Sequence, residues 1–442
     1  MSQSWTQMFR AYGRIGALSF GGPAAQIALM HEELVTRRKA MSEQDFLGAL
    51  SFCMLLPGPE AMQMATYAGW KERGVPGGLL AGLLFTLPGA VVIAALAFAY
   101  ASFGDVPLVQ AGFAGIKALV VVIVLQALWR ISNKALKRPA DWGLAAAAFI
   151  ALFALGLPFP LIILAAGIFG YVTAPRDAPK TPPAPPAQKA KTLRTILIWT
   201  ALWAAPLIPL LIARDGFLLQ LSLFYAKLAV VTFGGAYAVL SYMAQAVVET
   251  YGWLSAEQMI DALGLAETTP GPLILVTQFT AHLAGMTQGG PHLAALAGVL
   301  ALWMTFVPCF LWIFAFAPHV DRLLANPRLK GALAAITAAV VGVILNLCVW
   351  FALHVIFAQV DDTRALPIPD LSSIDPWAIA LIILGALLLI RFKFGLLLTL
   401  ALMALAGIGL HSVVYNTIAP SVSARIPYAQ ATEFGKSYVE FN

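Results

Sequence analysis

Residues 20–59 and 233–272 are one segment written twice, ungapped, at an offset of 213. Phe20-Gly21-Gly22 falls on Phe233-Gly234-Gly235, Ser42 on Ser255, and Ala49-Leu50 on Ala262-Leu263. Pro57-Gly58-Pro59 then falls on Pro270-Gly271-Pro272 without a shift. Glycine and proline interrupt helices. Breakers recurring at corresponding points of two halves predict a pseudo-symmetric assembly with its site at the repeat interface.

Composition identifies the solvent of that assembly. Of 442 residues, 60% are hydrophobic and only 11% charged, against about 25% charged in soluble domains. The mean hydropathy is +0.83. Long apolar runs cover 79–101, 108–129, 143–173, 196–213, 293–318, 332–358, 376–390 and 394–410. Runs of about 18 or more read as membrane spans, so the expected class is an all-α, polytopic membrane protein. Arg10 and Arg14 interrupt the first apolar stretch, so no cleavable signal peptide is expected. The formal charge of +6 does not signal nucleic acid, because lysine and arginine cluster at loop edges, as the positive-inside rule requires. Cys53, Cys309 and Cys348 fall in no metal or redox spacing, and the six histidines form no ligand pattern. No metal or cofactor is expected.

Residues 175–195 begin with PRDAPKTPPAPPAQKAKT, whose six prolines make an extended linker. The repeats therefore run over 1–174 and 217–442, and the apolar stretch 196–213 is an extra connecting helix. One added crossing reverses the orientation of the second half, and the loop charges agree. Arg37, Arg38 and Lys39 face a partner loop, 244–258, without lysine or arginine. Lys71 and Arg73 face 284–291, also free of them, and Arg130, Lys134, Lys137 and Arg138 face Arg364 among four aspartates. The sense reverses for 102–107, which lacks basic residues, against Arg322, Arg328 and Lys330. This antisymmetry predicts inverted-topology repeats, a cytoplasmic N-terminus and, with nine crossings, a periplasmic C-terminus.

Phe20-Gly21-Gly22-Pro23 sits between short apolar limbs, and Ala24–Met30 would rise only about 10 Å as a helix, short of a roughly 30 Å core. Re-entrant or broken half-helices are expected, starting after Gly22, Gly58, Gly235 and Gly271, with Ala236 standing where the first half has Pro23. Helix N-termini offer free N–H groups and partial positive charge. At membrane depth they need a buried or aqueous cavity. Four converging starts would make an anion site, whereas a single kink would be only packing.

Three cations sharpen this expectation. Arg14 and Lys227 share one offset from the two Phe-Gly-Gly motifs, and Lys117 interrupts GFAGIKALVVVIVLQAL. An intramembrane charge is usually paired or functional, and a dianion between the three would offset their cost. Glu60 and Glu267 flank the turns as pairing partners or proton carriers. Gln26, Gln63, Thr268, Thr269 and Gln278 supply neutral hydrogen bonds around Gly21, Gly22, Pro23, Gly58, Pro59, Gly234, Gly235 and Gly271. Gln126 and Asn346 are pseudo-equivalent, since AGIKALVVVIVLQ and AAITAAVVGVILN align at an offset of 220.

FGGPAAQIALMHEELVTRR (20–38), LPGPEAMQMATYAGW (56–70) and GLAETTPGPLILVTQ (264–278) resemble the signatures of the chromate ion transporter family in its long, two-domain bacterial form. The resemblance covers the whole chain. It implies export of chromate across the inner membrane and chromate resistance, with sulfate permeation as the alternative. The partners it implies are a chromate or sulfate dianion and the lipid bilayer, with a homodimer left open. A membrane-embedded reductase is disfavoured, because no flavin, haem or nicotinamide motif is present.

Overall fold

The computed structural model describes residues 4–174, 189–233, 235–361 and 366–423. Gly234 and the proline-rich stretch 175–188 lie outside them. The first half contains α1 (Trp5–Leu18), α2 (Gly22–His31), α3 (Glu43–Cys53), α4 (Glu60–Phe103), α5 (Pro107–Ala135), α6 (Pro139–Phe153) and α7 (Phe159–Thr173). Two connecting helices come next, α8 (Lys189–Ala204) and α9 (Leu207–Ala213). The second half contains α10 (Gly216–Val231), α11 (Ala236–Gln245), α12 (Ala256–Thr268), α13 (Val276–Phe316), α14 (Val320–Ala325), α15 (Pro327–Ile356), α16 (Pro376–Ala386) and α17 (Leu396–Ser423). A two-residue antiparallel pairing, Val360↔Pro369 and Asp361↔Ile368, closes the α15–α16 connection.

The duplication extends to irregular features. α2 runs into a π-helical segment, Glu32–Arg37, and α11 runs into another at Ala246–Thr250. Non-helical backbone interrupts α4 at Arg73 and Gly74, and α13 at Gly289 and Gly290. The apolar run 143–173 resolves into two helices, α6 and α7, because Gly156 and Pro158 break it. The expected connecting helix at 196–213 starts earlier, at Lys189, and Pro206 divides it. Its first turns carry Lys191 and Arg194, a basic extension of the apolar stretch.

Five described segments are long and apolar enough to cross a membrane: Glu60–Phe103, Pro107–Ala135, Lys191–Ala213, Leu273–Ala325 and Pro327–Ile356. α6, α7, α10, α16 and α17 add shorter apolar helices.

The helix pairs around the breaks are hairpins rather than straight spans. Arg38, beyond α2, donates from Nη1 to the carbonyl of Gln7 in α1 at 2.8 Å. Lys71, late in the first limb of α4, meets Asp45 at the start of α3 at 2.8 Å. In the second half, Phe217 of α10 packs on Trp253 beyond α11, and Phe224 on Tyr251. The chain therefore returns to the end from which it entered. α1 is 14 residues long, about 21 Å, enough to carry its tip to the middle of a roughly 30 Å core.

Contacts sort the connections into two ends. One end gathers Trp5 with Arg73, α3 with α14, Thr192 with His319, and Tyr171 with Arg328. The other gathers Tyr100 and Lys117 with Asp261, Phe217 with Trp253, and Gly156 with Glu249 and Pro367. The limb of α4 from Val75 to Phe103 joins them, about 43 Å along the helix. Long helices of the two halves interlock: α15 packs on α5, α6 and α7, α17 on α5, and α13 on α4. Small residues allow this closeness. At Gly170 and Gly331 each backbone occupies the space where the other's Cβ would stand. The large core cluster draws on both halves, from Met8 to Phe351.

Candidate functional site

The hairpin tips of opposite halves meet in the middle of the molecule and exchange reciprocal hydrogen bonds. Gly58 donates its N–H to the carbonyl of Thr232 at 2.8 Å, and Gly271 donates to the carbonyl of Ser19 at 2.9 Å. Ser19 and Thr232 are repeat equivalents, as are Gly58 and Gly271, so the two bonds are related by a pseudo-two-fold axis. Local chemistry prepares them. Ser19 and Thr232 each turn the hydroxyl back onto the carbonyl four residues earlier, of Ile15 and Leu228. Their own carbonyls, at the C-terminal ends of α1 and α10, accept from the opposing tip. Gly21, Gly22, Gly58, Gly235 and Gly271 all have positive φ, the region from which a Cβ is largely excluded.

Capping differs between stems and tips. The stem helices α1, α3, α10 and α12 start on side-chain caps, from Ser4, Ser42, Asp215 and Ser255. The helices starting at the tips, on Gly21, Pro59 and Gly235, have no side-chain cap. After Gly271 the expected half-helix is replaced at first by a 3-10 turn, Leu273–Leu275, again uncapped, before α13 begins. Uncapped starts leave N–H groups and the positive ends of helix dipoles facing the middle of the bundle.

Around these starts the tips bring together many of the residues singled out from sequence. Gln26 donates from Nε2 to the carbonyl of Gly271 at 2.6 Å. Gln63 donates to the carbonyl of Pro57 at 2.7 Å, just before Gly58 and Pro59. The Oε1 atoms of both glutamines are buried without a partner among the described residues. Tyr237 donates to Glu267 at 2.7 Å, and a Cβ built on Gly22 would lie 3.9 Å from the Tyr237 hydroxyl. Thr268 and Thr269 turn back onto the carbonyls of Leu265 and Ala266. Pro23 occupies the first turn of α2 and Glu60 the first residue of α4. Arg130 of α5 lies within electrostatic reach of Glu267 and Tyr237, and Lys134 within reach of Glu60.

The three cations are not gathered between the tips, and two are matched by protein carboxylates. Arg14 lies 3.3 Å from Glu33, which also faces Arg37 and Arg38. Lys117 lies 3.7 Å from both Asp261 and Glu257, and Tyr100 donates to Asp261 at 2.8 Å. Lys227 lies over the ring of Tyr242, 5.4 Å from its centroid. The compensation that sequence reasoning assigned to a dianion comes from these carboxylates and from an aromatic face. Gln278 also sits apart, donating to the carbonyl of Ala90 in α4 at 3.1 Å.

Sequence reasoning missed Ser19, Thr232, Tyr237 and Arg130. The first two had a signal: they stand at the same offset, one residue before the aligned segment. Tyr237 had none, since its repeat equivalent is Ala24, and Arg130 reads as an ordinary loop charge.

Gly58 gives a direct test of tip geometry. Its φ is +122°, and a Cβ there would stand 2.9 Å from Nε2 of Gln63 and 3.1 Å from Sγ of Cys309. Left-handed backbone costs a non-glycine residue about 1–2 kcal/mol, and overpacking about 1–3 kcal/mol. Gly58→Val should therefore lower stability by roughly 3 kcal/mol in thermal unfolding of the detergent-purified chain. Gly48→Ala, inside α3 with nothing within 4 Å, should instead raise it by about 0.5–1 kcal/mol. Equal melting of the two would mean that the tips are not closely packed.

Comparison with known proteins fits this architecture. A family model described as chromate transporter matches residues 6–171 and 219–408, one stretch in each half. A chromate transport protein of Pseudomonas aeruginosa is 32% identical over 345 residues, covering 77% of this chain and 79% of its own length. A probable chromate transport protein of Synechococcus elongatus is 29% identical over 77% of this chain and 83% of its own. A chromate transport protein of Cupriavidus metallidurans is 28% identical over 76% and 80%. No solved structure matches the chain.

Proposed function

The chain belongs to the chromate transporter family, and from that premise we propose that it exports chromate from the cytoplasm across the inner membrane, conferring resistance. The observation that carries this reading is the set of uncapped helix starts whose tips meet reciprocally between the halves. Chromate is a tetrahedral dianion, which backbone N–H groups and helix N-termini suit. The contact set we assign to it is Gly21, Gly22, Pro23 and Gln26, with Gly58, Pro59, Glu60 and Gln63. From the second half come Gly235, Glu267, Thr268, Thr269 and Gly271. Arg130 and Lys134 draw the anion toward the tips, while Arg14 and Lys117 act at the hairpin stems through their ion pairs. Lys227 flanks the third hairpin, and Gln278 braces α13 against α4.

Inverted repeats complete the mechanism. The first-half hairpins are rooted at the end that holds Trp5 and Arg73, the second-half hairpins at the end that holds Trp253 and Glu257. Tips reaching the middle from opposite sides support alternating access, in which one half rocks against the other about the reciprocal bonds. The basic loops then orient the N-terminus to the cytoplasm. Cysteine labelling should find position 38 cytoplasmic and position 251 periplasmic, and both on one side would end the inverted reading.

Everted membrane vesicles from cells expressing the chain test the function. They should accumulate labelled chromate, and vesicles lacking the chain should not. A site built from backbone donors reads charge and shape rather than the central atom, so sulfate should compete. Accumulation of sulfate unaffected by chromate would favour a sulfate permease instead.

A further inference from the structure

A cavity of about 210 Å³ lies between α6, α11 and α15, lined also by Gly156 of the α6–α7 connection. It belongs to the molecular end that carries Trp253 and Asp261, away from the first-half hairpin roots. Ser241, Gln245, Asn346 and Trp350 line it. Ser241 is 3% exposed and Trp350 is 8% exposed, and the indole N–H of Trp350 is buried without an acceptor among the described residues. Buried polar groups are normally paired, so the unpaired indole N–H, facing a space lined by two amides and a hydroxyl, marks a site that a polar guest fills. An indole N–H only donates, and the amides and the hydroxyl supply further donors. The guest therefore offers acceptors.

Position narrows the guest further. Ser241, Gln245 and Glu249 succeed one another at four-residue intervals, one face along α11 and its π-helical extension. α11 begins at the Gly235 tip, so this face leads from the meeting point of the hairpins toward the molecular end. Asn346 and Trp350 are the repeat equivalents of Gln126 and Arg130 at the offset of 220. Arg130 stands within electrostatic reach of the Glu267 tip. The first half has a guanidinium where the second half has only a neutral N–H donor, and Glu249 adds a carboxylate to the lining. The Arg130 side thus offers an anion a full positive charge, the Trp350 side only neutral donors.

We infer that this cavity is a low-affinity exit subsite for a tetrahedral oxyanion dianion, held by Ser241, Gln245, Asn346 and Trp350 on its way to the periplasm. The inference rests on the export reading above. The test uses everted vesicles carrying the full chain, with chromate supplied outside and sulfate loaded inside, where it meets the periplasmic face. Luminal sulfate should inhibit chromate uptake by the wild type. Asn346→Leu with Trp350→Phe should raise the half-inhibiting luminal concentration about tenfold, the effect of losing hydrogen bonds to a charged guest. The KM for chromate on the cytoplasmic face should stay within about twofold. Ser241→Ala, a minimal change, should shift inhibition in the same direction and guards against a misfolded double variant. Unchanged inhibition in both variants, or none in the wild type, means that the cavity holds only water and overturns the assignment while chromate uptake stands. Absence of chromate uptake by the wild type would overturn the export reading and the subsite with it.

Discussion

Chromate loaded into proteoliposomes carrying this chain should leave faster when the loaded side is clamped negative with valinomycin. Moving one charge through 100 mV is worth about 2.3 kcal/mol, so a dianion leaving a negative interior gains about 4.6 kcal/mol. That free energy sustains more than about a thousandfold concentration ratio without any coupling ion. Uptake against the same potential would need about three or more protons per dianion to make the voltage contribution favourable. At the tips the carboxylates are Glu60 and Glu267, and Glu267 already accepts from Tyr237 at 2.7 Å. Away from the tips the buried Asp261, midway along α12, is engaged by Lys117 and Tyr100, and the buried Glu33 by Arg14, Arg37 and Arg38. Export assisted by potential is therefore the expected regime. Flux that ignored the clamped potential, tracked a pH gradient and vanished in Glu267→Gln would overturn it and make Glu267 an obligatory proton carrier.

Alanine at Lys117 should destabilise the protein by about 3–5 kcal/mol, the cost of stripping one partner from a buried ion pair. The Asp261 side chain is 6% exposed, and Lys117 is the only cation within salt-bridge distance of it among the described residues. Without Lys117 the carboxylate keeps only the Tyr100 hydroxyl. Glu257, with a side chain 79% exposed, is a solvated partner and contributes little. Adding Asp261→Asn to Lys117→Ala should recover most of the loss, since the uncompensated charge is then gone. Arg14→Ala makes the contrast. Arg14 is 48% exposed and Glu33 retains Arg37 and Arg38, so the change should cost less than about 1 kcal/mol. Thermal unfolding of the purified chain in detergent measures all four proteins. A Lys117→Ala protein of wild-type stability that no longer carries chromate would return Lys117 to the substrate.

What the sequence by itself determined was local and periodic. Positive-φ glycines at 21, 22, 58, 235 and 271 and prolines beside them dictate where helices break, because these constraints act within a few residues. Ser42 and Ser255 cap the equivalent stems α3 and α12 for the same reason. Apolar runs and the repeat then determined an all-α membrane protein built of duplicated halves, with helix starts at the tips. The tertiary structure decided which tips meet and which charges pair. Gly58 reaches Thr232 and Gly271 reaches Ser19 across the two halves, and neither bond is implied by residues near it in the chain. Lys117 finds Asp261 only because α5 and α12 pack together, so a lysine that looks stranded in an apolar run is a paired one. Tyr237 joins Glu267 through the fold of the third hairpin onto the fourth. The reason is range: backbone strain and capping are set by neighbours in sequence, whereas a buried charge takes its partner from whichever helix face the packing of the whole bundle brings to it.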